Sequence, residues 1–361
     1  MSAVKVLIVT ASLGGGGAER SAALLSILLS DAGYDVHIVS VLDDIQYDYK
    51  GKLLNLGLLK SADHSTLGRL NRLLVLRKYL REQQFDWVID NRTRTVSWSE
   101  WVISRWIYPA KKTIYVVRNF RADLYFPSNT FIAKKIYQLS PYIVAVSKEA
   151  AENIRKIYGY KNVITIYNPA ANEKIIEMAN EQQISGQFIL SYGRLHDESK
   201  NLSLLIESYA KSSLHQKKIL LYILGDGDDL EMLKDKVQAL QLSDSIIFVP
   251  KQHNPFPYVK SALFTVLSSR YEGFPRVVIE SLAIGTPVVS VDCSSGPKEI
   301  IMNEHNGILV ENYNPEALAQ AMNRLAEDQN LYHICKTNAQ TSIAHLSAEN
   351  ILNEWNKILK K

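Results

Sequence analysis

The chain has 361 residues, 47% of them hydrophobic and 22% charged, which excludes a disordered chain and fits a soluble globular protein of about two domains. Its two cysteines, Cys293 and Cys335, exclude a disulfide scaffold and a cysteine-based zinc site and suit a reducing cytoplasm. The mild net charge of +4 hides a split: residues 1–168 carry a net of +9 and residues 169–361 a net of −5, so the two halves face different partners.

In chain order, short β-branched runs alternate with helical patterns. Residues 5–10 predict a strand. This apolar run is too short for a signal peptide and passes into glycines instead of a cleavage site. No run approaches the ~20 apolar residues that span a bilayer. A helix is expected over 18–32, a strand over 36–41, a helix over 69–83, and strands over 87–90 and 113–118. A strand over 142–147 precedes a helix over 148–158. The strand 163–167 ends in Asn168-Pro169, a turn dipeptide that places a domain boundary near residue 170. After a polar helical stretch, a second strand series follows at 188–192, 219–224, 246–250, 263–267 and 287–291. The alternation predicts an α/β fold of parallel sheets covered on both faces. The tail 348–360 predicts a helix with Ile351, Trp355 and Ile358 on one face.

Four segments carry chemistry. Residues 11–20, ASLGGGGAER, join a strand to a helix. Gly16 and Gly17 there let the backbone approach a ligand, and helix N-terminal amides favour an anion. The third glycine of a dinucleotide fingerprint and the Lys-Ser/Thr of a Walker loop are both absent, and a tight turn alone also explains the run. In SYGRLHDESKN (191–201), Arg194 and Lys200 are expected on a loop beside a helix that Asn201 caps, an arrangement suited to a diphosphate. A solvated basic loop is the alternative. In LGDGDDLEML (224–233), Gly225 and Gly227 turn a strand into a helix. Asp226 and Asp228 imitate a metal pair, but Asp228 and Asp229 are better read as capping carboxylates at the helix start.

In SSRYEGFPRVVIESLAIG (268–285), Glu272 falls on a loop, Pro275 in the first turn of a helix and Glu280 about one turn further in. Both carboxylates can accept hydrogen bonds from the hydroxyls of a sugar and a ribose. A capping Glu272 and a solvent-facing Glu280 are the alternative, although Val277, Val278, Ile279 and Leu282 hem Glu280 in.

Together these segments resemble the retaining glycosyltransferases of the GT-B fold, family 4, built of two Rossmann-like domains facing each other across a cleft. The matching pieces are GGAER (16–20), the Tyr192–Asn201 segment, LGDGDDLEML, and residues 254–289 with the Glu272-x7-Glu280 spacing. DCSSGPKEII (292–301) resembles a subgroup acting on lipid-linked glycans, N-acetylgalactosamine transferases among them. The resemblance implies domains at 1–169 and 170–345, with a helix over 346–361 packing back on the first. It implies that Arg194 and Lys200 bind the donor diphosphate. Glu272, with Gly273 and Phe274, would hold the donor sugar, Pro275 would shape that loop, and Glu280 would hold the ribose. Gly16 and Gly17 would face the donor phosphate, Gly225 would line the donor site, and Lys251 would lie near the base. The donor is expected to be a nucleotide sugar, UDP by resemblance, with no metal ion or other cofactor. The departing phosphate would take the acceptor proton, so no nucleophile is assigned; Arg194, Lys200 and Glu272 form the catalytic set.

The first half also carries an excess charge of its own: from Lys50 to Lys161 there are 21 Lys+Arg and 8 Asp+Glu. Arg69 and Arg72 lie among leucines on the helix over 69–83, and Trp98, Trp101 and Trp106 lie among cations. That composition suits an anionic membrane surface. It places the protein in the cytoplasm, peripherally on the inner face of the membrane, where a lipid-linked glycan acceptor is presented. Arg118, Asn119, Asn91 and Arg92, at strand ends, are expected on the acceptor side. Nucleic acid is disfavoured, since no binding signature is present and the acidic half repels phosphate. A sugar-nucleotide epimerase or hydrolase of similar fold, or a non-catalytic sugar-nucleotide-binding protein, remain the competing classes.

Overall fold

The structure is a computed structural model that describes residues 3–62, 65–170 and 173–360. It divides into two compact units, Met1–Pro169 with Glu349–Lys361, and Ala170–Ala348. The last residue of the expected C-terminal helix, Lys361, lies outside the described residues.

The first unit is built on seven strands: β1 (Lys5–Thr10), β2 (Asp35–Ser40), β3 (Lys52–Asn55), β4 (Trp87–Asp90), β5 (Thr113–Val117), β6 (Tyr142–Ala145) and β7 (Val163–Thr165). Their spatial order is β3-β2-β1-β4-β5-β6-β7, and every pairing is parallel. Such strands are buried on both faces and therefore read as continuous apolar runs, as VLIV in β1 and TIYVV in β5 do. Leu7, Val9, Val88, Tyr115, Val117 and Ile143 form one side of the core with Tyr137 and Ile154. The helix Ala348–Leu359 belongs to this unit. It buries Ile351, Trp355, Ile358 and Leu359, while Trp87 Nε1 donates to the Leu359 carbonyl at 2.9 Å and Tyr34 Oη to Asn356 Oδ1 at 2.6 Å.

The second unit has six parallel strands: β8 (Phe188–Arg194), β9 (Leu220–Asp226), β10 (Ile246–Val249), β11 (Thr265–Leu267), β12 (Val288–Asp292) and β13 (Gly307–Glu311). They lie in the order β10-β9-β8-β11-β12-β13. In both units the first strand is central and the chain winds outward from it in each direction. The crevice between the first and fourth strands, β1/β4 and β8/β11, is where such sheets bind ligands, outside the carboxyl ends.

Local chemistry sets the ends of the elements. Gly225 must be glycine: a Cβ there would lie 1.8 Å from the Gly193 carbonyl oxygen, so the ends of β8 and β9 touch backbone to backbone. Gly227 is equally confined, 2.2 Å from the Leu195 carbonyl oxygen.

Candidate functional site

In the second unit, the ends of β8 and β11 and the start of a helix line a shallow crevice open to solvent, with Tyr192, Arg194, Lys200, Ser268, Ser269 and Val277 among its residues. Arg194 is the last residue of β8 instead of a loop residue, and it is exposed. Lys200 closes a single helical turn, Asp197–Lys200. Asn201 stands at the N-cap position of the helix Leu202–Lys211 in the left-handed region, φ 50°, but its side chain does not cap. The Asp197 carboxylate does, accepting from Ser203 N at 2.7 Å. Asp197 reaches those amides because the left-handed Asn201 folds the short turn back over the helix start.

Lys200 Nζ donates to Glu272 Oε1 at 2.7 Å, and Ser269 Oγ donates to the same oxygen at 2.7 Å. Among the described residues no hydrogen bond reaches Glu272 Oε2. The loop carrying Glu272 is held from the far side by the segment after β12. Glu272 N donates to the Ser294 carbonyl at 2.8 Å, and Ser295 Oγ donates to the Gly273 carbonyl at 3.0 Å. Gly296, at φ +104°, packs so closely that a Cβ would lie 2.7 Å from Pro275 Cδ. Gly273, Phe274 and Pro275 are buried. Pro275 is the N-cap of the helix Arg276–Ile284, one residue before its first turn, and no side chain caps that helix. Burial, with the Glu272 charge nearby, pushes up the thiol of Cys293 behind this loop.

Glu280 is buried, 3% exposed, so the solvent-facing alternative fails. Its Oε1 accepts from Arg276 Nε at 3.1 Å and Nη2 at 2.9 Å, and its Oε2 from Tyr192 Oη at 3.5 Å. Arg276 thus takes up one carboxylate oxygen of Glu280. The i,i+4 spacing of Arg276 and Glu280 was the available sequence signal for that pair. Lys251 is exposed just past β10. At the end of β9, Asp226 Oδ1 accepts from Gly227 N at 2.8 Å. The capping roles expected of Asp228 and Asp229 are not seen. Asp229 is the N-cap of the helix Leu230–Ala239 without a side-chain cap bond, and its Oδ2 instead accepts from Asp197 N at 2.6 Å, tying two loops together.

In the first unit, Gly16 is the N-cap of the helix Gly17–Asp31, and no side chain caps it. The first amides of that helix thus point out beyond the end of β1. At the ends of β4 and β5, Arg118 donates through Nε and Nη2 to Asn91 Oδ1 at 2.9 and 2.6 Å, and through Nη1 to Asn168 Oδ1 at 2.7 Å. Asn119 orders its own turn, accepting from Arg121 N at 2.9 Å.

Arg92 follows the end of β4, as expected, but its charge turns inward. Its Nη2 bonds Asp90 Oδ2 at 2.7 Å and Glu100 Oε2 at 3.2 Å, so its charge is used inside the unit. Burial alone would raise the Asp90 carboxyl, but Arg92 and Arg94 hold it below its ordinary value, while burial leaves Glu100 raised despite Arg92. Arg94, which sequence reasoning missed, is fully buried beneath the rings of Tyr115, Tyr125, Phe126 and Tyr137.

Two surface features complete the first unit. The helix Thr66–Gln83 turns Leu76 and Leu80 inward, yet leaves Leu67, Leu70 and Leu74 exposed at i, i+3 and i+7, beside exposed Arg69 and half-buried Arg72. The helix packs against Ile103–Ile107, which in turn meets Thr130–Tyr137. Trp106 and Phe131 are exposed on the last two of these segments, and Trp98 and Trp101 on the helix Ser97–Val102 that runs into the first of those two.

Residues 15–173 match the family model described as Glycosyltransferase Family 4, and residues 173–342 the model described as Glycosyl transferases group 1. The chain is 30% identical over 347 residues to the N-acetylgalactosamine-N,N'-diacetylbacillosaminyl-diphospho-undecaprenol 4-alpha-N-acetylgalactosaminyltransferase of Campylobacter jejuni, covering 91% of this chain and 92% of that one. It is 25% identical to the amylovoran biosynthesis glycosyltransferase AmsD of Erwinia amylovora, covering 95% and 96%. Anabaena Alr3699/HepE, solved in complex with UDP-glucose, superposes with a TM-score of 0.79 at 18% identity over 99% of both chains, and TarM with 0.79 at 15% over 99% of both. With both units matched in order along the chain, this protein belongs to the glycosyl transferases group 1 family, and is a GT-B hexosyltransferase.

Proposed function

We propose that the enzyme moves a hexose or N-acetylhexosamine from a UDP-sugar to a lipid-linked or polysaccharide glycan, with retention at the anomeric carbon. The observation that carries this reading is the Lys200–Glu272 pair, set beside Arg194 at the β8/β11 crevice. As the anomeric C–O bond breaks, negative charge grows on the departing UDP. Arg194 and Lys200 lie where such charge would be stabilised. Glu272 Oε2 accepts a donor-sugar hydroxyl, and Glu280 accepts from the ribose alongside Arg276. The departing phosphate oxygen takes the acceptor hydroxyl proton as that hydroxyl oxygen bonds the anomeric carbon on the same face. Retention and the UDP donor rest on family likeness. Alr3699/HepE was solved with UDP-glucose, and the Campylobacter relative is named for a diphospho-undecaprenol glycan.

The exposed Leu67, Leu70 and Leu74, Trp98, Trp101, Trp106 and Phe131, among Arg69, Arg72, Arg105, Lys134 and Lys135, support a docking face for anionic lipid. No described helix is long and apolar enough to cross a membrane. The enzyme would then work peripherally, on the inner face of the cell membrane where the acceptor is displayed. With Arg194 and Lys200 offered to the leaving diphosphate, this reading expects no metal ion. A mass-spectrometric screen of UDP- and GDP-sugars against polyprenyl-diphosphate-linked glycans tests the reading. One UDP-sugar is expected to be consumed with glycan mass gain, undiminished in excess chelator. Turnover that needs a divalent ion, or donor hydrolysis without transfer to any acceptor, would contradict it.

A further inference from the structure

Strand β11 ends at Leu267, and the next two residues, Ser268 and Ser269, are buried at 2% and 0% exposure. Each hydroxyl is committed to one member of the Lys200–Glu272 pair. Ser268 Oγ donates to the Lys200 backbone carbonyl at 2.9 Å, and Ser269 Oγ donates to Glu272 Oε1 at 2.7 Å. Arg270 N adds a bond to the Ser199 carbonyl at 2.9 Å, so three successive residues grip the turn that carries Lys200 and the loop that carries Glu272. Lys200 Nζ closes the ring on the same Glu272 oxygen.

A buried hydroxyl costs free energy unless it is bonded, and alanine would fill most of the same space. The two hydroxyls are therefore explained by what they hold. A ligand phosphate would compete with Glu272 for the Lys200 ammonium. Were the ammonium drawn toward that anion, its hold on Glu272 would weaken, and the Ser269 bond would still tie Oε1 in place.

We propose that Ser268 and Ser269 are positioning residues that separate the two tasks of the site. Ser268 fixes the Lys200 main chain so that the ammonium swings between Glu272 and phosphate. Ser269 keeps Glu272 oriented for the donor sugar after Lys200 has left it. The inference rests on the donor-site reading above.

Calorimetric titration of the full chain with UDP and with UDP-sugars tests it, in Ser268→Ala, Ser269→Ala, Glu272→Ala and the Ser269→Ala/Glu272→Ala double variant. Ser269→Ala should bind UDP like the wild type but weaken the UDP-sugar about ten-fold, the size of one hydrogen bond to a charged group. Ser268→Ala should weaken UDP itself about ten-fold. In the Glu272→Ala background, Ser269→Ala should change UDP-sugar affinity no further, because it acts through Glu272. Wild-type affinity in both serine variants, equal loss of UDP and UDP-sugar in both, or an additive loss in the double variant would overturn the positioning roles. Wild-type protein that binds neither UDP nor any UDP-sugar would instead overturn the donor-site reading itself.

Discussion

Two cations in this chain are held by carboxylates to opposite ends. Arg92 sits between Asp90, fully buried, and Glu100, 5% exposed, so its charge offsets theirs inside the first unit. Lys200 is 31% exposed and faces one carboxylate at the mouth of a crevice. Removing a buried partner strands the charges that remain, whereas an ion pair open to water contributes little to stability. Arg92→Met is expected to lower stability by about 3–5 kcal/mol. Lys200→Met leaves Glu272, 13% exposed, still bonded to Ser269 and is expected to cost clearly less than that while removing transfer. Denaturant unfolding of the two variants separates them. Equal stability losses would mean that Lys200 is a structural residue. In the sequence each was a cation on a loop after a strand, Arg92 expected on the acceptor side and Lys200 at the donor diphosphate. The difference came from Glu100, eight residues beyond Arg92, which a helix turns back toward it. Ser268 and Ser269 were illegible for a related reason: they carry no charge, and the partner of Ser268 lies 68 positions away in sequence.

At the scale of elements, the strands bearing chemistry were legible because each is an apolar run that breaks into glycine, charge or, after β11, serine. β3 was not, since KLLN is short, partly exposed and at the sheet edge. β13 and the helices Pro315–Glu327 and Gln329–Ser342 bear none of the motifs that drew the reading. The helix Thr66–Gln83 differs from a simple amphipathic helix in having leucines on both faces. That outer stripe carries a prediction: Leu70→Glu/Leu74→Glu should abolish flotation with anionic liposomes at low salt and leave folding intact. Unchanged flotation would place lipid contact elsewhere, and no flotation of the wild type would remove it. The C-terminal helix carries another. Trp355 is 4% exposed against the first unit, so Trp355→Ala should cost about 3–5 kcal/mol, read as a lowered unfolding transition. A wild-type transition would mean that the helix contributes little to that unit.

Over the whole molecule, the same winding occurs twice, and in each copy its direction reverses between the first and fourth strands. The charge split maps onto the two units. The basic one bears the exposed tryptophans and leucines, and the acidic one gathers Arg194 and Lys200 at a local cationic spot. Net charge alone conveyed none of this; the strand-end motifs located the crevice, and only side-chain geometry gave the sharing of Glu272 Oε1 by Lys200 and Ser269. The most direct test of that crevice as the donor site is the transfer rate of Lys200→Ala and Glu272→Ala, each confirmed folded, with the donor and acceptor found by screening. Each substitution is expected to slow transfer by about 10²–10³ or more, as loss of a group that stabilises developing charge or orients the sugar does. Transfer at the wild-type rate in either folded variant would contradict it.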